Sequence, residues 1–155
     1  MIRIQSKLSY DYIRGLVERD GCFSFSTIPT MVFRDGDFAK KKLPSFMLQM
    51  SGQNRSLIEL VKETLGLKNR IYEYKRKSKK DNNNHSMVIL NVRDFGQIKN
   101  IVVPFFYKKL RGDKAKQFED WIYKIGNDPD VEEKYRLICK IYKEGFYERN
   151  PKFIN

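Results

Sequence analysis

Asp20 is the acidic side chain least at home in its surroundings. It ends the segment Ser9–Asp20, which reads as a helix: Ser9 can cap it, Asp11 sits in its first turn and Gly21 follows its end. At helical spacing Ile13, Leu16, Val17 and Asp20 fall on one side, so the carboxylate lies on the apolar stripe. It also lies at the helix C-terminus, where the macrodipole is negative and a carboxylate is disfavoured. A divalent cation would compensate, because hard carboxylate and carbonyl oxygens suit magnesium or calcium. The plain alternative is an Asp before Gly in a turn, paired with Lys or Arg, and the residues alone leave both open. Other chemistries have little to work with. One histidine, His85, argues against zinc fingers, Ser-His-Asp triads and His-based nucleases, and it sits in a polar stretch that reads as a solvated loop tip. Cys22 and Cys139 make no disulfide framework and suit a reducing compartment.

The elements that must position Asp20 follow from hydrophobic periodicity. Cys22–Thr27 alternates as a half-buried strand with Phe23 and Phe25 inward, and Ser45–Ser51 alternates again with Phe46, Leu48 and Met50 inward. A polar and basic connection runs between them, through Arg34 and Lys40 to Lys42. Asn54–Leu65 reads as a helix stopped by Gly66, and Arg70–Lys77 with Ser86–Val92 as a hairpin whose tip is rich in Lys, Asp and Asn. A short helix over Asp94–Asn100 leads into an apolar stretch ending at Phe106. Lys114–Ile125 carries Phe118, Trp121, Ile122 and Ile125 at helical spacing. A last helix is expected with Asp128 as cap, Pro129 at its start and Val131, Tyr135, Ile138 and Tyr142 as its stripe. The order predicts an α+β plan with one antiparallel four-stranded sheet.

Length and charge narrow the class. At 155 residues, 41% hydrophobic and 14% aromatic, the chain forms one globular domain with a real core. No window approaches eighteen apolar residues and the N-terminus lacks the apolar stretch of a signal peptide, so an intracellular protein is expected. The net charge is +12. From Asn127 onward six basic residues face six acidic ones, so the whole excess lies in residues 1–126. Lys68–Lys80 holds seven basic residues in thirteen and Lys108–Lys116 five in nine. A single basic run is commonly a solvated face. Several runs interleaved with Tyr, Ser, Gln and Asn on strands point to nucleic acid.

Ile13–Gly21, followed at once by the strand Cys22-Phe23-Ser24, resembles the LAGLIDADG motif of homing endonucleases. The resemblance runs on through most of the chain. Phe46–Gly66 resembles the family's second strand and its second helix, which ends in Leu-Gly, and Pro104-Phe105-Phe106 its Pro-Phe element. Asp113–Phe118, with Trp121, resembles the Lys-x-x-x-aromatic start of the family's later helix. One motif copy is present, and single-motif chains of this family are homodimers. The resemblance therefore implies a LAGLIDADG fold, a four-stranded saddle with helices on one face, over a single domain at 1–155.

It further implies that two first helices meet through Ile13, Gly15 and Leu16 and bring two copies of Asp20 to a twofold axis. There Asp20 and the Arg19 backbone carbonyl would hold Mg²⁺, with Mn²⁺ or Ca²⁺ able to substitute in binding. Two close carboxylates repel unless cations sit between them. Lys114 maps onto the family's active-site lysine, with Lys116 as fallback, and would hold phosphate charge or order water. Gln53 is the candidate for the family's active-site glutamine, since Gly52 stands at the strand end where that residue is often found. Double-stranded DNA would be read in the major groove by Ser24, Ser26, Lys42, Ser45, Gln49, Arg70, Tyr72, Tyr74 and Arg76, with Lys116 beside them. Arg19 stands where the family has a small residue, and Arg14 where it commonly has Ala. Glu18, the motif's other acid, has a structural role in the family. The implied activity is site-specific double-strand cleavage in intron homing, in an organelle or a prokaryotic cytoplasm. The alternatives are an intron maturase that binds RNA, or a DNA-binding regulator that does not cut.

Overall fold

The structure, a computed structural model, describes residues 7–32, 38–77 and 84–154. Helix α1 spans Tyr10–Asp20; the Ser9 hydroxyl caps it by accepting from the Tyr12 amide at 3.2 Å. Strand β1 (Gly21–Val32) begins without a linker, and β2 (Phe38–Ser51) returns antiparallel to it. A single 3₁₀ turn, Gly52–Asn54, leads into α2 (Arg55–Leu65), which ends at Gly66 with a left-handed φ of 74°. The hairpin β3 (Ile71–Lys77) and β4 (Asn84–Val92) completes an antiparallel sheet in the order β1-β2-β4-β3. The α+β plan and the four strands are therefore as the periodicity predicts.

The remaining chain is helical. It comprises α3 (Phe95–Gln97), a π-helical turn (Ile98–Val102), α4 (Val103–Phe106), α5 (Gly112–Asn127), α6 (Arg136–Lys143) and α7 (Phe146–Arg149). Pro104 explains the π turn. Having no N–H, it cannot donate to the carbonyl four or five residues back. Those carbonyls are served from the C-terminal segment: Lys152 Nζ donates to Asn100 O at 2.9 Å and Tyr147 Oη donates to Lys99 O at 3.0 Å.

The core lies between the sheet and the helices, with Phe23 at its centre. Its ring lies 5.0–5.4 Å from those of Phe46, Phe106, Phe118 and Trp121. Val88, Leu90 and Val92 of β4 join it from the sheet, and Ile58, Val61 and Leu65 of α2 from the helices.

Three expectations are corrected. The polar stretches are not all connection: β2 already includes Phe38 to Lys42, and Asn84 and His85, expected in a tip over Ser78–His85, belong to β4, while residues 33–37 and 78–83 lie outside the described residues. No helix begins at Pro129. Asp128 instead caps the end of α5, and 130–132 runs beside β2, with Lys42 N donating to Asp130 O and Glu132 N donating to Lys42 O. Two main-chain hydrogen bonds to an open strand hold that segment extended until the 3₁₀ turn at Glu133–Tyr135. Lys42, expected on the outward face with Ser45, has the parity of Phe46 and Leu48 and points to the helical side.

Candidate active site and nucleic-acid face

Asp20 occupies the last position of α1 with its side chain 30% exposed. Its nearest cation is Arg19 of the same chain, Nε to carboxylate 4.0 Å, and the Arg19 side chain is 87% exposed. The next residue must be small: a Cβ on Gly21 would fall 2.5 Å from Val17 Cγ1 and 2.9 Å from Val17 O. The Asp-Gly pair is thus the tight joint at which the helix becomes strand β1 and delivers its carboxylate.

The start of α5 closes on this joint. Lys114 Nζ donates to Gly21 O at 2.5 Å and to Gln117 Oε1 at 3.3 Å. The same Gln117 oxygen accepts from the Phe23 amide at 3.0 Å, and Trp121 Nε1 donates to Ser24 O at 2.7 Å. Glu18 Oε2 accepts the Arg111 amide at 3.0 Å, so the motif's second acid ties α1 to the approach of α5. Asp20 and Lys114 are therefore brought within one peptide of each other from positions far apart in the chain. From sequence alone Gln117 has no assigned role, and Trp121 stands only on the helix's apolar stripe and as a landmark of the resemblance. Their spacing from Lys114 on one helix face, i+3 and i+7, was the available signal.

Gln53 is not part of this cluster. It lies exposed in the turn after β2, in a cleft with Glu73, His85 and Ser86, and has no hydrogen bond to Asp20, Lys114 or Gln117. The register sets Gly21 opposite Leu48, which leaves Gln49 as the outward glutamine level with the end of α1.

Ile13, expected at a helix–helix contact, is fully buried in the chain's own core with Val17. The open face of α1 holds Tyr12 (49% exposed), Gly15, Leu16 and Arg19. Among the described residues, no atom beyond its chain neighbours and its own helix backbone lies within 4 Å of where a Gly15 Cβ would be. Arg14 turns the opposite way and is buried. Its Nε donates to Phe105 O at 3.0 Å and its guanidinium lies 4.5 Å from the Phe105 ring centre. Another nitrogen donates to Phe153 O, which moors the C-terminal segment.

On the outward sheet face, pairing groups Ser24 and Ser26 of β1 with Ser45, Met47 and Gln49 of β2, Met87 and Ile89 of β4, and Tyr72 and Tyr74 of β3. Tyr72 is 58% and Tyr74 38% exposed, and Arg70 is exposed just before β3. Ser45 shares the face but is buried, its hydroxyl donating to Asn91 Oδ1 at 2.5 Å. Lys42 Nζ instead pairs with Asp128 at 2.9 Å. That hydrogen bond raises the lysine pKa and lowers the carboxyl pKa from their ordinary values. Lys116 is exposed in a cleft between β1 and α5, beside Asp113 and Asp120. The Arg76 side chain lies outside the described residues.

Among the described residues no group of three or more His, Cys, Asp and Glu gathers where it could hold a metal ion. Asp20 stands as a half-exposed carboxylate at the open end of α1. Fold and site together define a mixed α/β protein with a tyrosine-bearing sheet face and an acid–lysine cluster at a helix–strand joint.

Comparison with known proteins gives this class a family. The family model described as LAGLIDADG endonuclease matches residues 13–125. The chain belongs to the LAGLIDADG endonuclease family, whose members are DNA-cleaving hydrolases. Its fold is similar to that of the homing endonuclease I-TnaI (TM-score 0.54, 21% identity, 90% of this chain and 76% of that one). It is similar as well to the LAGLIDADG homing endonuclease I-LtrWI bound to target DNA (0.55, 25% identity, 91% and 38%). A third similar structure is the LAGLIDADG meganuclease I-CpaMI bound to uncleaved DNA (0.61, 16% identity, 96% and 45%). The chain spans less than half the length of the latter two. Comparison with curated proteins finds no match. No described helix is long and apolar enough to cross a membrane.

Proposed function

We propose that this chain is a site-specific, double-strand DNA endonuclease that acts as a homodimer on a long, roughly palindromic site in intron homing. The observation that carries the reading is the joint at Asp20-Gly21, where an acid on an open helix end meets Lys114 held by Gly21 O and Gln117. Two chains packed through the Gly15 face would each supply one Asp20, and the Asp20 carboxylates with the Arg19 carbonyls would hold Mg²⁺. When bound, such ions activate water and stabilise the leaving oxygen of a phosphodiester. Lys114 supplies a fixed positive charge for the phosphate as charge builds in the transition state. The basic excess of residues 1–126 neutralises backbone phosphates, and the outward strand residues face the base edges.

The test is cleavage of duplex DNA containing a selected target by the purified chain with Mg²⁺. Wild type is expected to cut both strands, leaving short 3′ overhangs. Asp20→Asn is expected to bind with unchanged affinity and not cut. Binding by wild type without cutting in Mg²⁺ or Mn²⁺ would make the chain a regulator, and preference for a structured intron RNA would make it a maturase.

A further inference from the structure

Base reading in the major groove ordinarily uses free donors and acceptors, yet the middle of this outward face offers few. Ser45 is buried against Asn91, and Gln49 Nε2 donates to Tyr74 Oη at 3.2 Å. The side chains left between them are apolar. Met47 lies beside Asn91, Ile89 is paired with both Gln49 and Tyr72, and Met87 with both Ser51 and Tyr74. All three are half-buried, so each presents part of its methyl or thioether surface outward. The rings of Tyr72 and Tyr74 border the patch, and exposed Arg70 stands at its margin.

The charge of the surrounding body fits a polyanion, and among the features of a duplex major groove only the thymine C5-methyl group is apolar. We infer that Met47, Ile89 and Met87 form a thymine-methyl-reading patch, so that this stretch of each half-site is specified by thymines through apolar contact. The inference rests on the DNA-binding reading above and adds which bases the face selects and by what chemistry.

Deoxyuridine differs from thymidine only by the missing methyl, with its pairing edge intact, and therefore isolates the contact. Sites are first selected from a random-sequence duplex library with the full chain in Ca²⁺. Each thymine is then replaced by uracil in turn. At the positions over the patch each replacement is expected to weaken binding roughly fourfold, the value of one buried methyl group. Ile89→Thr and Met47→Gln, checked for native circular dichroism, are each expected to erase the penalty at one position and leave the others unchanged. Three results would overturn the inference: equal binding of thymine and uracil duplexes, a selected stretch without thymine, or penalties that persist unchanged in both variants. A library that yields no enriched sequence would instead sink the DNA-binding reading, and the inference with it.

Discussion

Lys114 is held by neutral oxygens, the Gly21 carbonyl and the Gln117 amide, and among the described residues forms no ion pair with a carboxylate. Its charge is thus left for an incoming phosphate, and its position depends on Gln117, which is fixed in turn by the Phe23 amide. Gln117→Leu removes the acceptor that the two donors share. Cleavage is expected to slow between roughly ten- and a hundredfold, the scale of a small misplacement of a catalytic group, while DNA affinity holds. Gln117→Glu keeps the accepting oxygen but pairs Lys114 with a carboxylate, so it should hold the lysine in place and still cut slowly; single-turnover cleavage beside a binding isotherm separates rate from affinity. Equal rates for wild type and Gln117→Leu would mean that Lys114 positions itself. Arg14 makes the complementary case, a charge used up in structure. Arg14→Leu strands the Phe105 and Phe153 carbonyls and is expected to cost about 3 kcal/mol, measured by urea denaturation. A loss under 1 kcal/mol would mean that water replaces the guanidinium.

At the scale of elements, the α1–β1 joint and the 128–132 segment show what a sequence can and cannot disclose. The joint was legible because its signals are local: a capping Ser, a period of 3.6 that becomes a period of 2 at Gly21, and an acid out of place between them. Gly21→Ala drives a Cβ into both a side chain and a carbonyl of Val17, so a loss of about 1–3 kcal/mol is expected. Val17→Ala in the same chain should relieve only the side-chain part of the clash. The 128–132 segment was misread as helix because its partner, β2, is remote in sequence, and long-range hydrogen bonds outweighed a local Asp-Pro start signal. The same limit hid Arg14, whose carbonyl partners are 91 and 139 residues away. Lys42 was legible and missed, since it shares parity with Phe46.

The Lys42–Asp128 pair also gives the segment a pH dependence with two edges. Asp128 has a lowered pKa, so its contribution is present above the unfolded carboxyl value of about 3.9 and lost as pH falls through the folded one. Lys42 has a raised pKa, so its contribution is full below about 10.4 and lost as pH rises through the folded value. Urea midpoints of wild type and Asp128→Asn should therefore differ at neutral pH and converge at both extremes. A gap that persists at low pH would assign the difference to packing.

For the whole molecule the decisive surface is one that the single chain leaves bare. Tyr12, Gly15 and Arg19 face away from the core, with Leu16 half-buried at the edge, and among the described residues no atom beyond Gly15's neighbours and its own helix backbone lies within 4 Å of a Gly15 Cβ. A glycine in the interior of a helix lowers stability by about 0.8–1 kcal/mol relative to alanine. Keeping it on an open face makes physical sense if a second backbone comes close. Gly15→Leu therefore sets folding against function. A Cβ at Gly15 has open space around it and a leucine improves helix propensity, so the monomer is expected to gain up to about 1 kcal/mol. A paired helix would be pushed away, and with it the second Asp20. Sedimentation should show wild type as a dimer and the variant as a monomer, with double-strand cleavage lost despite the higher unfolding midpoint. Binding by wild type should also fall steeply with salt, by about 0.9 in log K per log salt for each neutralised phosphate. The variant, confined to one half-site, should show close to half that slope. A variant that stays dimeric and cuts would remove Gly15 from the interface and put the shared carboxylate site in doubt.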